Sequence, residues 1–152
     1  MKKATFILMI ILFSSACKTS EPDFTKDIDS IVFYDFLEKE IALADIKAEW
    51  NKRLQNDEKI DAMITNAQVL VIADNQTKEE KLVLLAQTSN KLTKTATEVT
   101  RFKNGLKLSD LTITCKDCST TLNPEFSNGG WVCPSDDTQS EACTKIVTLK
   151  TE

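Results

Sequence analysis

Residues 77–105 read TKEEKLVLLAQTSNKLTKTATEVTRFKNG, and the period assigned to this stretch decides the fold. Thr77 with Glu80 three places later has the form of a capping box, in which each side chain satisfies a backbone N–H at a helix start. Leu82, Leu85, Ser89, Leu92, Ala96, Val99 and Lys103 then follow in alternating steps of three and four, the spacing of an a/d seam. Ser89 and Lys103 interrupt the seam, and Thr88, Thr93, Thr95, Thr97 and Thr100 are weak helix formers, so such a helix requires a partner. Asn104-Gly105 supplies a C-terminal stop.

Working outward, the chain carries neither glycine nor proline from Asp23 to Asn104, which favours continuous helix. Val32, Phe36, Leu43 and Trp50, flanked by Leu37, Ile41, Ala44 and Ala48, fit one amphipathic face over Asp29 to Gln55. Asn56-Asp57 marks a break, after which Ile60, Ile64, Ala67 and Val71 continue at helical steps. Val69 to Ala73 is apolar throughout and also suits a buried strand. Length and continuity favour helix. The expectation for residues 29–104 is therefore mainly α, an antiparallel helical hairpin or a three-helix bundle, with its seam as core more than as docking surface.

Past Gly105 the composition changes. Leu111 and Ile113 alternate with Thr112 and Thr114, Asn128-Gly129-Gly130 signals a turn before Trp131-Val132-Cys133, and Ile146-Val147-Thr148-Leu149 is β-rich. Residues 105–152 are expected to form a small three-stranded antiparallel unit, too short to hold together without staples. Cys115, Cys118, Cys133 and Cys143 all lie in it. If its first and last strands are antiparallel neighbours, Cys115 faces Cys143 and leaves Cys118 for Cys133. Trp131 is expected to cover one of these bridges. Two other chemistries share the spacing: a four-thiolate zinc site, though Cys133 and Cys143 lack the second close spacing of ribbon sites, and a redox pair at Cys115-Lys116-Asp117-Cys118, though no βαβ pattern surrounds it.

The first residues carry an address. Met1-Lys2-Lys3 is a positive start, Ala4 to Phe13 is an apolar run interrupted only by Thr5, and Ser14-Ser15-Ala16 are small. The run is too short for a permanent membrane span, which needs about 20 apolar residues, and fits a signal peptide over residues 1–16. Ser14-Ser15-Ala16-Cys17 resembles the lipobox of bacterial lipoproteins, although Ser14 stands where that family prefers Leu. The resemblance implies that Cys17 receives a diacylglyceryl group and becomes the first residue. Ser14 and Ala16 also suit an ordinary cleavage site that releases a soluble protein. Cysteine parity favours lipidation, because with Cys17 acylated the other four can pair completely.

In the resembling family an Asp after the lipidated cysteine often retains the protein in the inner membrane of Gram-negative cells. Lys18 at that place points to the outer membrane. Residues 17–28 read as the lipidated tether. Removing the leader takes away two lysines and no acid, so a net charge of −4 becomes −6. Attachment must then come from the acyl lipid on Cys17, not from attraction to anionic headgroups.

Function classes narrow by exclusion. The chain has no histidine, which removes Ser-His-Asp and Cys-His catalysis and every His-ligated metal site. Lys and Arg total 19 against 23 acids, so no basic footprint suggests nucleic acid. There is no phosphate-binding glycine loop, G-x-S-x-G or H-E-x-x-H. The expectation is a lipid-anchored cell-envelope protein with a non-catalytic binding or structural role and no cofactor beyond the lipid, engaging membrane lipid through Cys17 and an unidentified envelope protein. The alternative is a membrane-tethered thiol-disulfide oxidoreductase using Cys115 and Cys118.

Overall fold

A computed structural model describes residues 23–25, 27–118, 120–134 and 143–151. The leader, Cys17 and most of the tether lie outside the described residues. The body is mainly β, with one α-helix among the described residues, and the helical hairpin or bundle expected for residues 29–104 is incorrect. A 3₁₀ turn at Ile28–Ser30 leads into β1 (Phe33–Tyr34), β2 (Glu40–Ile41) and α1 (Leu43–Asn56). Four long strands follow, β3 (Ile64–Ala73), β4 (Glu80–Thr88), β5 (Lys94–Phe102) and β6 (Gly105–Lys116). A hairpin of β7 (Glu125–Ser127) and β8 (Gly130–Val132) precedes β9 (Thr144–Leu149).

The main sheet has the order β2-β1-β6-β5-β4-β3, with β9 also paired to β6. The stretch read as one helix is the β4–β5 hairpin, in which Leu82 faces Val99 and Leu85 faces Ala96. Thr77 caps no helix. Its N–H donates to Asp74 Oδ1, and its hydroxyl accepts from the N–H of Glu79 within the β3–β4 turn.

The misreading has a physical cause. Both faces of β4 are covered, so the strand reads as an unbroken apolar run from Leu82 to Ala86, and any such run contains helix-spaced subsets. Leu84 and Ala86 face the core under α1, whereas Val83 and Leu85 face the core on the other side. The missing glycines misled as well. Lys78, Lys91 and Lys103 take positive φ in three successive hairpin turns, so residues outside the usual turn set fill left-handed positions.

The sheet continues across residues 104/105. Phe102 pairs with Gly105 across the β5–β6 turn, and β6 carries β9 on its other edge, so the sheet runs through it. Gly105 itself packs against the carbonyl of Val32, where a Cβ would fall 1.9 Å from the oxygen. The N-terminal half of the helical expectation survives only as α1, which ends at Asn56 and buries Ile46, Trp50 and Leu54 at steps of four.

Candidate functional site

The sheet face away from α1 holds the cysteines. Cys115 bonds to Cys133 with Cα atoms 5.5 Å apart, and Cys118 bonds to Cys143 at 4.5 Å. The expected partners, Cys115 with Cys143 and Cys118 with Cys133, are exchanged. The premise was sound, since β6 and β9 are antiparallel neighbours, but Cys115 stands opposite Lys145. Cys143 therefore falls beyond the last ladder pair, Lys116 with Thr144. Asp117 turns the chain with φ of 55° and brings Cys118 there. Cys115, facing the second core, meets Cys133 after β8.

The sulfurs of Cys115, Cys118 and Cys133 lie within 4.8 Å of one another, yet all four thiols are consumed by the two bridges. Metal ligation and nucleophilic exchange both require thiolates. Neither member of the C-x-x-C pair is bonded to the other, so the arrangement is not that of a thioredoxin-type couple. Its place in the fold is a staple. Trp131 packs against the same cluster as the cystines, with its ring 4.0 Å from that of Phe126.

Two polar clamps hold the covering segment. Asp74 Oδ1 accepts from the N–H groups of Gln76, Thr77 and Asn128, and Oδ2 accepts from Gly129. The donated bonds, from Thr77 and Gly129 foremost, hold its carboxyl well below the ordinary range against a smaller opposing effect of burial. One carboxylate thus ties the β3–β4 turn to the β7–β8 turn. Lys94 Nζ donates to the carbonyls of Thr120 and Leu122, fixing the segment that leads into the hairpin, and burial lowers its pKa.

The helix side contains a cavity of about 300 Å³. Its origin is an interruption of β6. On one edge β1 pairs with Leu106 and Lys107, and β9 pairs from Leu111 onward, leaving residues 108–110 between them. On the other edge the register slips between Thr97 and Val99, a bulge opposite the same residues. Bulges bend a strand and re-aim its side chains. Leu108, Ser109 and Asp110 line the floor, while Ile46, Glu49, Trp50 and Arg53, on one face of α1, form the roof.

Charge is unevenly compensated there. Arg53 Nε donates to Glu58 Oε1 at 3.1 Å, a pair whose side chains are 13% and 4% exposed, and Thr114 donates to the same oxygen. Lys150 pairs with Glu49 at 2.7 Å at the rim. Among the described residues the Asp35 carboxylate accepts only from the N–H of Lys39, and the Asp110 carboxylate only from the hydroxyl of its neighbour Ser109. Neither carboxylate has a cation within ion-pair distance among the described residues.

No protein-family model, curated protein or solved structure matches this chain.

Its chemistry must therefore be taken from its own groups. The cavity lining combines apolar side chains with carboxylates, hydroxyls and the Arg53 guanidinium, while Trp50 and Ile46 are themselves packed into the core. No helix among the described residues is long and apolar enough to cross a membrane. The cavity lining was not foreseen from the sequence. Trp50 was recognised as apolar, but nothing in the pattern placed Asp35 and Asp110 beside it. That depends on where β1 ends and β9 begins along β6.

Proposed function

We propose that this chain is a lipid-anchored protein of the bacterial cell envelope, held by acyl chains on Cys17, whose folded body works by binding rather than by catalysis. The cavity under α1 carries the binding half of this reading, because it is a concave site that combines apolar side chains with polar groups unpaired among the described residues, the buried Nη2 of Arg53 included. The leader residues and the resemblance at Ser14-Ser15-Ala16-Cys17 support the anchor, and Lys18 favours the outer membrane. The alternative, a thiol-disulfide oxidoreductase, has less support, because Cys115 and Cys118 are each bonded elsewhere and are buried.

The Cys17→Ser variant is expected to accumulate as unprocessed precursor that takes up no labelled fatty acid, and to leave the membrane fraction more readily than the parent. Equal labelling and normal processing of the variant would refute the anchor. For the body, thiol titration of the denatured but unreduced mature protein should find no free thiol besides any at Cys17.

A further inference from the structure

We propose that the β5–β6 turn, Arg101 to Lys107, is the surface this chain lays against an anionic lipid bilayer. The proposal rests on the anchor at Cys17 given above and adds the orientation in which that anchor holds the body. Phe24 packs against the core under α1, with the Arg101 guanidinium 5.1 Å from its ring centre. It follows Cys17 by seven residues, a span of at most about 25 Å however the chain runs. β6 starts at the same turn, and its twelve residues reach roughly 35–40 Å. The tether is shorter than the sheet. The turn therefore stays near the bilayer in every orientation, whereas the cystine end of β6 can stand clear of it.

The charge of the turn suits that place. From Val99 to Ser109 the sequence has three cations and no acid. Lys103 and Lys107 hold their ammonium groups over the half-buried Phe102 ring, 4.7 and 5.3 Å from its centre. Tyr34 braces that ring edge-on at 5.1 Å, and its hydroxyl donates to Asn104 Oδ1. Two like charges are thus gathered on one ring. Lys107 has the exposed Glu38 at 3.4 Å, and Lys103 has no ion pair among the described residues. Glu80 opens the adjacent β4, so the basic patch is confined to this turn. The mature chain is acidic as a whole, and anionic headgroups repel the rest of it while attracting the turn. The acyl chains supply attachment, and the turn supplies orientation.

The test seats the full chain, extracted with its lipid, on bilayer nanodiscs of phosphatidylcholine with or without phosphatidylglycerol. A gadolinium chelate on a trace of headgroups broadens the amide signals that approach the bilayer. With phosphatidylglycerol present, broadening is expected to centre on Arg101 to Lys107 and to spare Lys116 and Lys145. Omitting phosphatidylglycerol should spread it over the body. Lys103→Asn keeps a residue suited to the left-handed φ of 49° found there. It should cut the broadening of the turn about fivefold, the worth of one lysine at an anionic surface. Broadening centred elsewhere on a retained, acylated chain overturns the orientation and leaves the anchor standing. Broadening of the turn that ignores both phosphatidylglycerol and Lys103 overturns the recognition by charge. A chain that carries no lipid and is retained by neither nanodisc overturns the anchor and the proposal together.

Discussion

The two faces of the sheet are closed by different means. One is covered by α1, fourteen residues that bring Ile46, Trp50 and Leu54 onto Phe33, Leu84 and Val99. The other is covered by a hairpin with strands of three residues, and its core is Phe126, Trp131 and the cystines over Val83, Leu85 and Ile113. A helix of this length buries enough apolar side chain to dock by itself. Two three-residue strands do not, and an isolated hairpin is marginal in water. The hairpin face therefore carries both disulfides and the Asp74 clamp, while the helix face carries none and can leave a cavity. Covalent closure stands where apolar area is scarce.

The largest effect is expected from removing both bridges. In the chain-entropy picture the loops, of sequence separation 18 and 25, contribute roughly 3 kcal/mol each. Together that approaches the whole stability of a typical domain. Replacing all four cysteines with Ala should leave a chain largely unfolded at 37 °C, seen as loss of the cooperative urea transition. A variant that keeps a transition near the parental midpoint would show that the hairpin face holds without covalent help.

The second test addresses the helix face, where Arg53 and Glu58 form a nearly buried pair and Arg53 Nη2 and Glu58 Oε2 find no partner among the described residues. Glu58→Ala strands a guanidinium in low dielectric and should cost about 3–5 kcal/mol by denaturant unfolding. Changing both residues, Arg53→Met with Glu58→Leu, should recover most of that loss, since a buried pair gains little over apolar packing. If the double variant is as unstable as the single one, the pair is needed for more than its own charge balance.

Asp74 gives a pH-dependent contrast. Its carboxyl is held below its unfolded value, so the stability it lends is fully present above the ordinary carboxylate range. That stability is lost as pH falls from there towards the depressed value. Acid titration followed by Trp131 emission should show loosening of the hairpin below about pH 4, where an ordinary aspartate begins to take up protons. Asp74→Asn should flatten that limb and already be loosened at neutral pH. An unchanged acid limb would remove Asp74 as the tie between the two turns.

Parts of this architecture were legible in the sequence. Asn128-Gly129 takes positive φ at both residues, as a two-residue hairpin turn requires. The antiparallel pairing of β6 with β9, the break after Asn56 and the pairing of the last four cysteines also follow from local signals. Residues 77–104 were not legible as strands by periodicity, because coverage of both faces erases the alternation that marks a half-buried strand. The contrary signal was the run of threonines. Thr95 and Thr97 with Thr112 and Thr114 are buried in β5 and β6, where β-branched side chains suit the pleat. The cavity and the cystine partners depend on register, and a shift of two residues moves Cys143 from opposite Cys115 to beyond the ladder.

The central claim is that one sheet serves both covers, so the faces stand or fall together. Each face has its own tryptophan, Trp50 under the helix and Trp131 in the hairpin. Equilibrium urea unfolding of Trp50→Phe and Trp131→Phe, with the disulfides intact, isolates the two signals. The account predicts fluorescence transitions that, in each variant, coincide with loss of far-ultraviolet dichroism. A Trp131 transition completed while helical dichroism persists would contradict it, and would mark a separate unit beginning near Gly105.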